Sequence, residues 1–100
     1  MKLIISAQAQ NDLDAIAEYI AQDNLPAAER LIGRLADKFD RICASPGIGS
    51  PRSELMRGLR GQAFGRYIIY YRVRADELEI VRVVHSARDQ QRAFLDDTDQ

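Results

Sequence analysis

The chain has no tryptophan, one cysteine, one histidine and three prolines in 100 residues. A lone thiol, Cys43, cannot form an internal disulfide, so a reducing compartment is the simplest setting. One cysteine and one histidine make no ligand set of the number a structural or catalytic metal requires, which argues against a metal site. No apolar run approaches the length that spans a bilayer, and the opening MKLIISAQAQNDLD turns polar too early for a secretory signal. No repeat or low-complexity tract is present. The glycines of GLRGQAFG lack the lysine and the following helix of a phosphate-cradling loop. These absences imply a single cytoplasmic domain over residues 1–100, with no cofactor and no membrane association.

Lysine is also scarce: 12 of the 14 cations are arginine. Arginine is favoured over lysine where planar, bidentate contacts to carboxylate or phosphate matter. Net charge is −1, but residues 1–51 carry five basic and seven acidic side chains, whereas residues 52–92 carry nine arginines against five acids. The second half is therefore the expected binding half.

Local signals divide the chain cleanly. KLIIS (2–6) reads as a short strand, and Ser6 can cap the helix that follows. Ala9, Leu13, Ile16 and Ile20 fall on one face of that helix, and Asp12 and Asp14 lie in its early part, where acids suit the dipole. QDNLP (22–26) breaks it, Asn24 can cap a second helix, and Pro26 fits its first turn. Ala28, Leu31, Leu35, Phe39 and Ile42 form the stripe of that second helix, so the two should pair as an antiparallel hairpin. SPGIGSP (45–51) is turn material. GLRGQAFG reads as a bulged strand. RYIIYYRVR (66–74) and LEIVRVVHS (78–86) form a hairpin across ADE.

These elements specify an α+β fold, an antiparallel sheet with an N-terminal helical hairpin packed on one face and a short C-terminal helix or tail. In strict alternation Tyr67, Ile69, Tyr71 and Val73 meet the helices, while Ile68 and Tyr70 point away among arginines. On the next strand Leu78/Ile80/Val84 and Val81/Val83 are two apolar sets. One helical layer shelters one face, so the second face is expected to stay open as an apolar patch rimmed by arginine, the signature of a protein-binding surface. The alternative is that residues 90–97 fold back through Phe94 and Leu95 and cover it. Alanine at Leu78, Ile80 or Val81 would separate core from partner-facing positions.

The β-α-α-β-β-β order and several phrases resemble the RelE/ParE superfamily of toxins from type II toxin–antitoxin systems. The ParE branch is matched by AQNDLDAIAEYIAQDNLPAAERLIGRL (9–35), SPGIGSPRSEL (45–55), GLRGQAFGRYIIYYRV (58–73) and IVRVVHSARD (80–89). The resemblance implies a toxin that arrests growth by inhibiting DNA gyrase through direct binding, without enzymatic activity. It also implies neutralisation by a cognate ParD-like antitoxin in a hetero-oligomer, a heterotetramer or larger, with operator DNA reached only through the antitoxin. In that family picture the antitoxin lies along the sheet face and the helical-hairpin groove. The RelE branch is the alternative, a ribosome-dependent mRNA endoribonuclease, whose cations and base would here be Arg60, Arg82, His85 and Arg88. Against it stand the absent lysine cluster and a single histidine with no clear complementary acid. Candidates for antitoxin or target binding are Arg60, Arg66, Tyr70, Arg72, Arg82, His85 and Arg88.

Individual residues also have plainer readings. His85 can simply close the last strand. Arg82, if buried, needs an acid, for which Asp89 and Glu79 are the expected partners. Tyr19, Tyr67, Tyr70 and Tyr71 could stack on bases, but three of them in one strand are better explained by packing.

Overall fold

A computed structural model describes the backbone of residues 1–98 and the side chains of residues 1–95. The order is β1 (Lys2–Ile5), α1 (Ala7–Ala21), α2 (Leu25–Ala44), a 3-10 turn at Pro46–Ile48, β2 (Ser50–Pro51), β3 (Arg60–Phe64), β4 (Tyr67–Arg74), β5 (Glu77–His85) and α3 (Gln90–Thr98). Both helix starts follow their local signals. Ser6 Oγ accepts the Ala9 N–H at 3.0 Å, and Asn24 Oδ1 accepts the Ala27 N–H at 3.0 Å, with Pro26 in the first turn of α2. Each such cap contributes about 1 kcal/mol.

The sheet runs β1-β5-β4-β3-β2. All its pairings are antiparallel except the parallel pairing of β1 with β5, which the helical crossover allows. This insertion of β1 places β5 inside the sheet. Ala9 and Leu13 of α1 and Leu35, Phe39 and Ile42 of α2 pack on Ile69, Tyr71, Leu78, Ile80 and Val83.

The second face is not open. Tyr70, Val81 and Val84 form a second core with Leu59, Ala93 and Phe94. Tyr70 is 0% exposed and Val84 2%. The amphipathic remnant after β5 coils into α3 and presses Phe94 edge-on against the Tyr70 ring, with centroids 4.9 Å apart at 90°. Leu95, by contrast, stays 63% exposed. The expected open patch is therefore overturned. Leu78, Ile80 and Val81 are all core, on one face or the other.

A register shift explains why alternation misassigned β5. Tyr70 pairs with Arg82 but Tyr71 pairs with Ile80, so Val81 is an extra residue in the ladder. A bulge of this kind reverses the facing of every later residue relative to strict alternation. Val83 thus joins Leu78 and Ile80 under the helices, and Val84 joins Val81 on the far side. Val73 also departs from expectation at 40% exposure, because β3 ends opposite Tyr71 and leaves the last part of β4 as an edge.

Tyr71 anchors the loop before β2. Its hydroxyl donates to Pro46 O at 2.6 Å and accepts the Gly49 N–H at 2.8 Å. A Cβ on Gly49 would meet that oxygen at 2.6 Å. Gly49→Ala is expected to lose about 1–3 kcal/mol from overpacking, plus about 1–3 kcal/mol from the disturbed buried hydroxyl. Urea denaturation would measure the loss.

Candidate functional site

The arginines divide into those used internally and those left facing solvent. Arg82 is 5% exposed, and its acid is neither Asp89 nor Glu79. Its Nε and Nη2 contact both oxygens of Asp12 at 2.7 and 3.0 Å, and its Nη1 donates to Ala93 O at 3.0 Å. Glu79 is taken by Arg72 at 2.7 Å, and Asp89 accepts the Arg92 N–H at the start of α3. Asp12 also accepts the Val83 N–H at 2.9 Å. The pairing of β1 stops at Ile80, so the carboxylate of α1 satisfies the edge of β5 where the neighbouring strand ends.

The other candidates scatter. Tyr70 is fully buried and donates to Gln90 Oε1 at 2.7 Å, so in the free chain it is not on the surface. Burial raises its pKa. Arg52 lies over its ring at 5.8 Å. Arg72 reaches Glu79 and the Met56 sulfur. Arg60 Nη1 donates to Gly49 O. His85 is exposed, accepts the Ala87 N–H on Nδ1 at 3.1 Å, and meets the Tyr67 ring at 5.4 Å. Arg88 lies in the turn after β5, its N–H bonded to His85 O.

Register shows that Arg60, Arg82 and His85 do not converge. Arg60 sits opposite Tyr71 and His85 opposite Tyr67, four residues apart along β4, or about 13 Å. Arg82, opposite Tyr70, is on the α3 face, whereas His85 shares the helix face with Tyr67. Among the described residues no group of three His, Cys, Asp or Glu is placed to hold a metal ion. Burial, and then Asp40, push the Cys43 thiol above its usual pKa, the opposite of the shift that activates a nucleophilic cysteine.

Two features mark the surface. The first is an apolar groove along one flank of the hairpin, made of two hollows of about 380 and 610 Å³ that share Ala17 and Ile32. It runs from Leu3 and Ile5 at the β1 edge to Leu25 at the hairpin tip. The charged side chains lining it are acidic: Asp14, Glu18, Glu29 and Asp40. The second is a cleft of about 860 Å³ on the opposite flank, where Tyr19 and Arg34 face Phe64, Arg66, Tyr67 and His85. Arg66 and His85 are candidates from the sequence, and Tyr19 is named there as a possible base-stacking ring, but Arg34 is not. The signal for Arg34 is its place outside the apolar stripe of α2.

The geometry agrees with the comparisons. A family model described as the ParE toxin of the type II toxin–antitoxin system parDE matches residues 3–90. Toxin ParE1 of Caulobacter vibrioides is 33% identical over 84 residues, covering 83% of this chain and 86% of that protein. Toxin ParE3 of the same organism is 26% identical over 84 residues, covering 83% and 84%. The solved structure of a chromosomal ParDE toxin–antitoxin system from P. aeruginosa superposes with a TM-score of 0.72 at 22% identity, covering 85% of this chain and 95% of that one. Among the described residues no helix is long and apolar enough to cross a membrane. The chain belongs to the ParE family, the toxins of parDE-type type II toxin–antitoxin systems.

Proposed function

We propose that this ParE-family toxin acts by binding DNA gyrase rather than by cutting RNA, and that a cognate ParD-like antitoxin in the cytoplasm holds it inactive. The observation that carries the binding reading is the dispersal of Arg60, Arg82 and His85. Cleavage by 2′-hydroxyl attack needs a base, an acid and phosphate-neutralising cations around one small volume. Here one of the cations is committed to Asp12, and the histidine lies on the other face of the sheet.

The groove on the hairpin flank supports the antitoxin half of the reading. It is apolar, open and lined by four acids, so it suits an amphipathic segment with apolar anchors and basic flanks. The closed sheet face leaves the hairpin as the favoured seat. Arg60, Arg66, Arg72, His85 and Arg88 remain the candidates for contact with the antitoxin or the target.

The deciding experiment compares the first process arrested on expression and assays the purified chain. Slowed gyrase supercoiling with intact messenger RNA is the expected result. Translation arrest with discrete, ribosome-dependent mRNA cuts would replace this reading with the endoribonuclease one. Ala17→Arg, at the neck of the groove, is expected to weaken antitoxin binding at least tenfold without changing the melting temperature of the free toxin. Calorimetric titration checks this.

A further inference from the structure

Helix α2 has three chemically distinct sides. Its core side is apolar, and Glu29 and Asp40 lie toward the acidic-rimmed groove. The third side carries Arg30, Arg34, Lys38 and Arg41. Their spacings of four, four and three residues stack one cation per turn over about 16 Å. Arg34, Lys38 and Arg41 line one hollow with Phe64, and that hollow shares Arg34 and Phe64 with the cleft containing Arg66. Asp37 is the acid among them, so five cations against one acid leave a local balance of +4 on a chain whose net charge is −1. None of the five takes part in an ion pair among the described residues, unlike Arg52, Arg72 and Arg82.

Aromatic rings sit beside these charges. Tyr19 is 75% exposed, although a packed fold has no use for its ring there. Phe64 and Tyr67 line the same cleft, partly open. A row of unpaired cations beside accessible ring faces is the arrangement that tracks a phosphate backbone while bases stack. An acidic peptide would use the cations but leave the rings without a role.

We propose that the α2 stripe Arg30–Arg34–Lys38–Arg41, with Arg66 and the rings of Tyr19, Phe64 and Tyr67, binds a single-stranded nucleic acid through its backbone and base faces. The surface lies on the opposite flank from the apolar groove, and its argument does not depend on the gyrase or antitoxin reading. Nothing in the cleft singles out one sugar, so DNA and RNA strands should bind alike.

The test is fluorescence anisotropy of labelled short oligothymidine and oligouridine with the purified chain, from about 50 to 200 mM salt. Both strands should bind, with a slope of log affinity against log salt near −3, as about four neutralised phosphates require. The double substitution Arg34→Gln/Lys38→Gln should weaken binding at least tenfold and flatten that slope by roughly half. Arg66→Gln, in a turn, checks the same surface from another element. Tyr19→Ala should weaken binding about fivefold or more by loss of stacking. Arg74→Gln, at the far hairpin, should change neither affinity nor slope. The proposal fails if no salt-dependent binding is seen, or if the α2 and Arg66 variants bind like the parent chain. It fails equally if polyglutamate displaces the labelled strand as well as unlabelled oligonucleotide does, because the surface would then be a seat for acidic peptide.

Discussion

Asp12→Ala is expected to destabilise the toxin by about 3–5 kcal/mol, the cost of leaving one member of a buried ion pair without its counter-ion. The Asp12 and Arg82 side chains are 14% and 6% exposed, so water screens the Arg82 charge poorly once the carboxylate is gone. The same change strips the acceptor from the Val83 N–H. Because one carboxylate serves both a guanidinium and the strand edge, α1 and β5 should loosen together. Asp12→Asn keeps an acceptor and removes only the charge, so it should cost less than alanine. The double variant Asp12→Leu/Arg82→Met replaces the pair with apolar volume and should recover much of the loss. Urea denaturation of the four proteins tests the set. Equal stabilities for parent and Asp12→Ala would show that the pair does not hold the helix to the sheet.

Phe94→Ala should be the next most costly change, at about 3–5 kcal/mol for a buried phenylalanine. Its ring is 4% exposed and closes the second face over Tyr70, Val81 and Val84. Part of the loss is the edge-to-face contact with Tyr70, about 0.5–1.5 kcal/mol. Further ties hold α3, among them the bonds of Gln90 to Tyr70 and His85 O and of Ala93 O to Arg82. Truncation of the ring should therefore release α3 locally before the rest unfolds. Hydrogen exchange should show faster exchange across residues 90–98, with β4 and β5 still protected, and a dye that binds apolar surface should brighten. Unchanged exchange in 90–98 would mean that the other ties suffice and that the ring contributes little.

The family resemblance was legible from the sequence across nearly the whole chain, but the site was much less so. Arg66 and His85 were found as chemistry-bearing residues and do share a cleft with Tyr19, named as a possible stacking ring, yet Arg34, which completes it, comes from a helix assigned only a packing role. Tyr70 was read as a surface residue and is buried, because the covering segment contributes one large side chain from a weak helix. The sequence showed that residues 90–97 could fold back through Phe94 and Leu95, but the local pattern does not decide whether they do.

The sequence by itself determined the helices, their caps and the hairpin. Ser6, Asn24 and the stripe from Ala28 to Ile42 act through neighbours within four residues, and periodicity records such contacts directly. It also determined the change of period at the strands. Only the tertiary structure decided which faces of the sheet are closed, where the bulge at Val81 reverses the facing of β5, and that Arg82 finds its acid 70 residues away in Asp12. Each of those outcomes is a choice among several apolar or acidic groups of equal local merit. Packing in three dimensions selects one, by volume and by the need to satisfy every buried polar atom, and neither quantity is written in the spacing of residues along the chain.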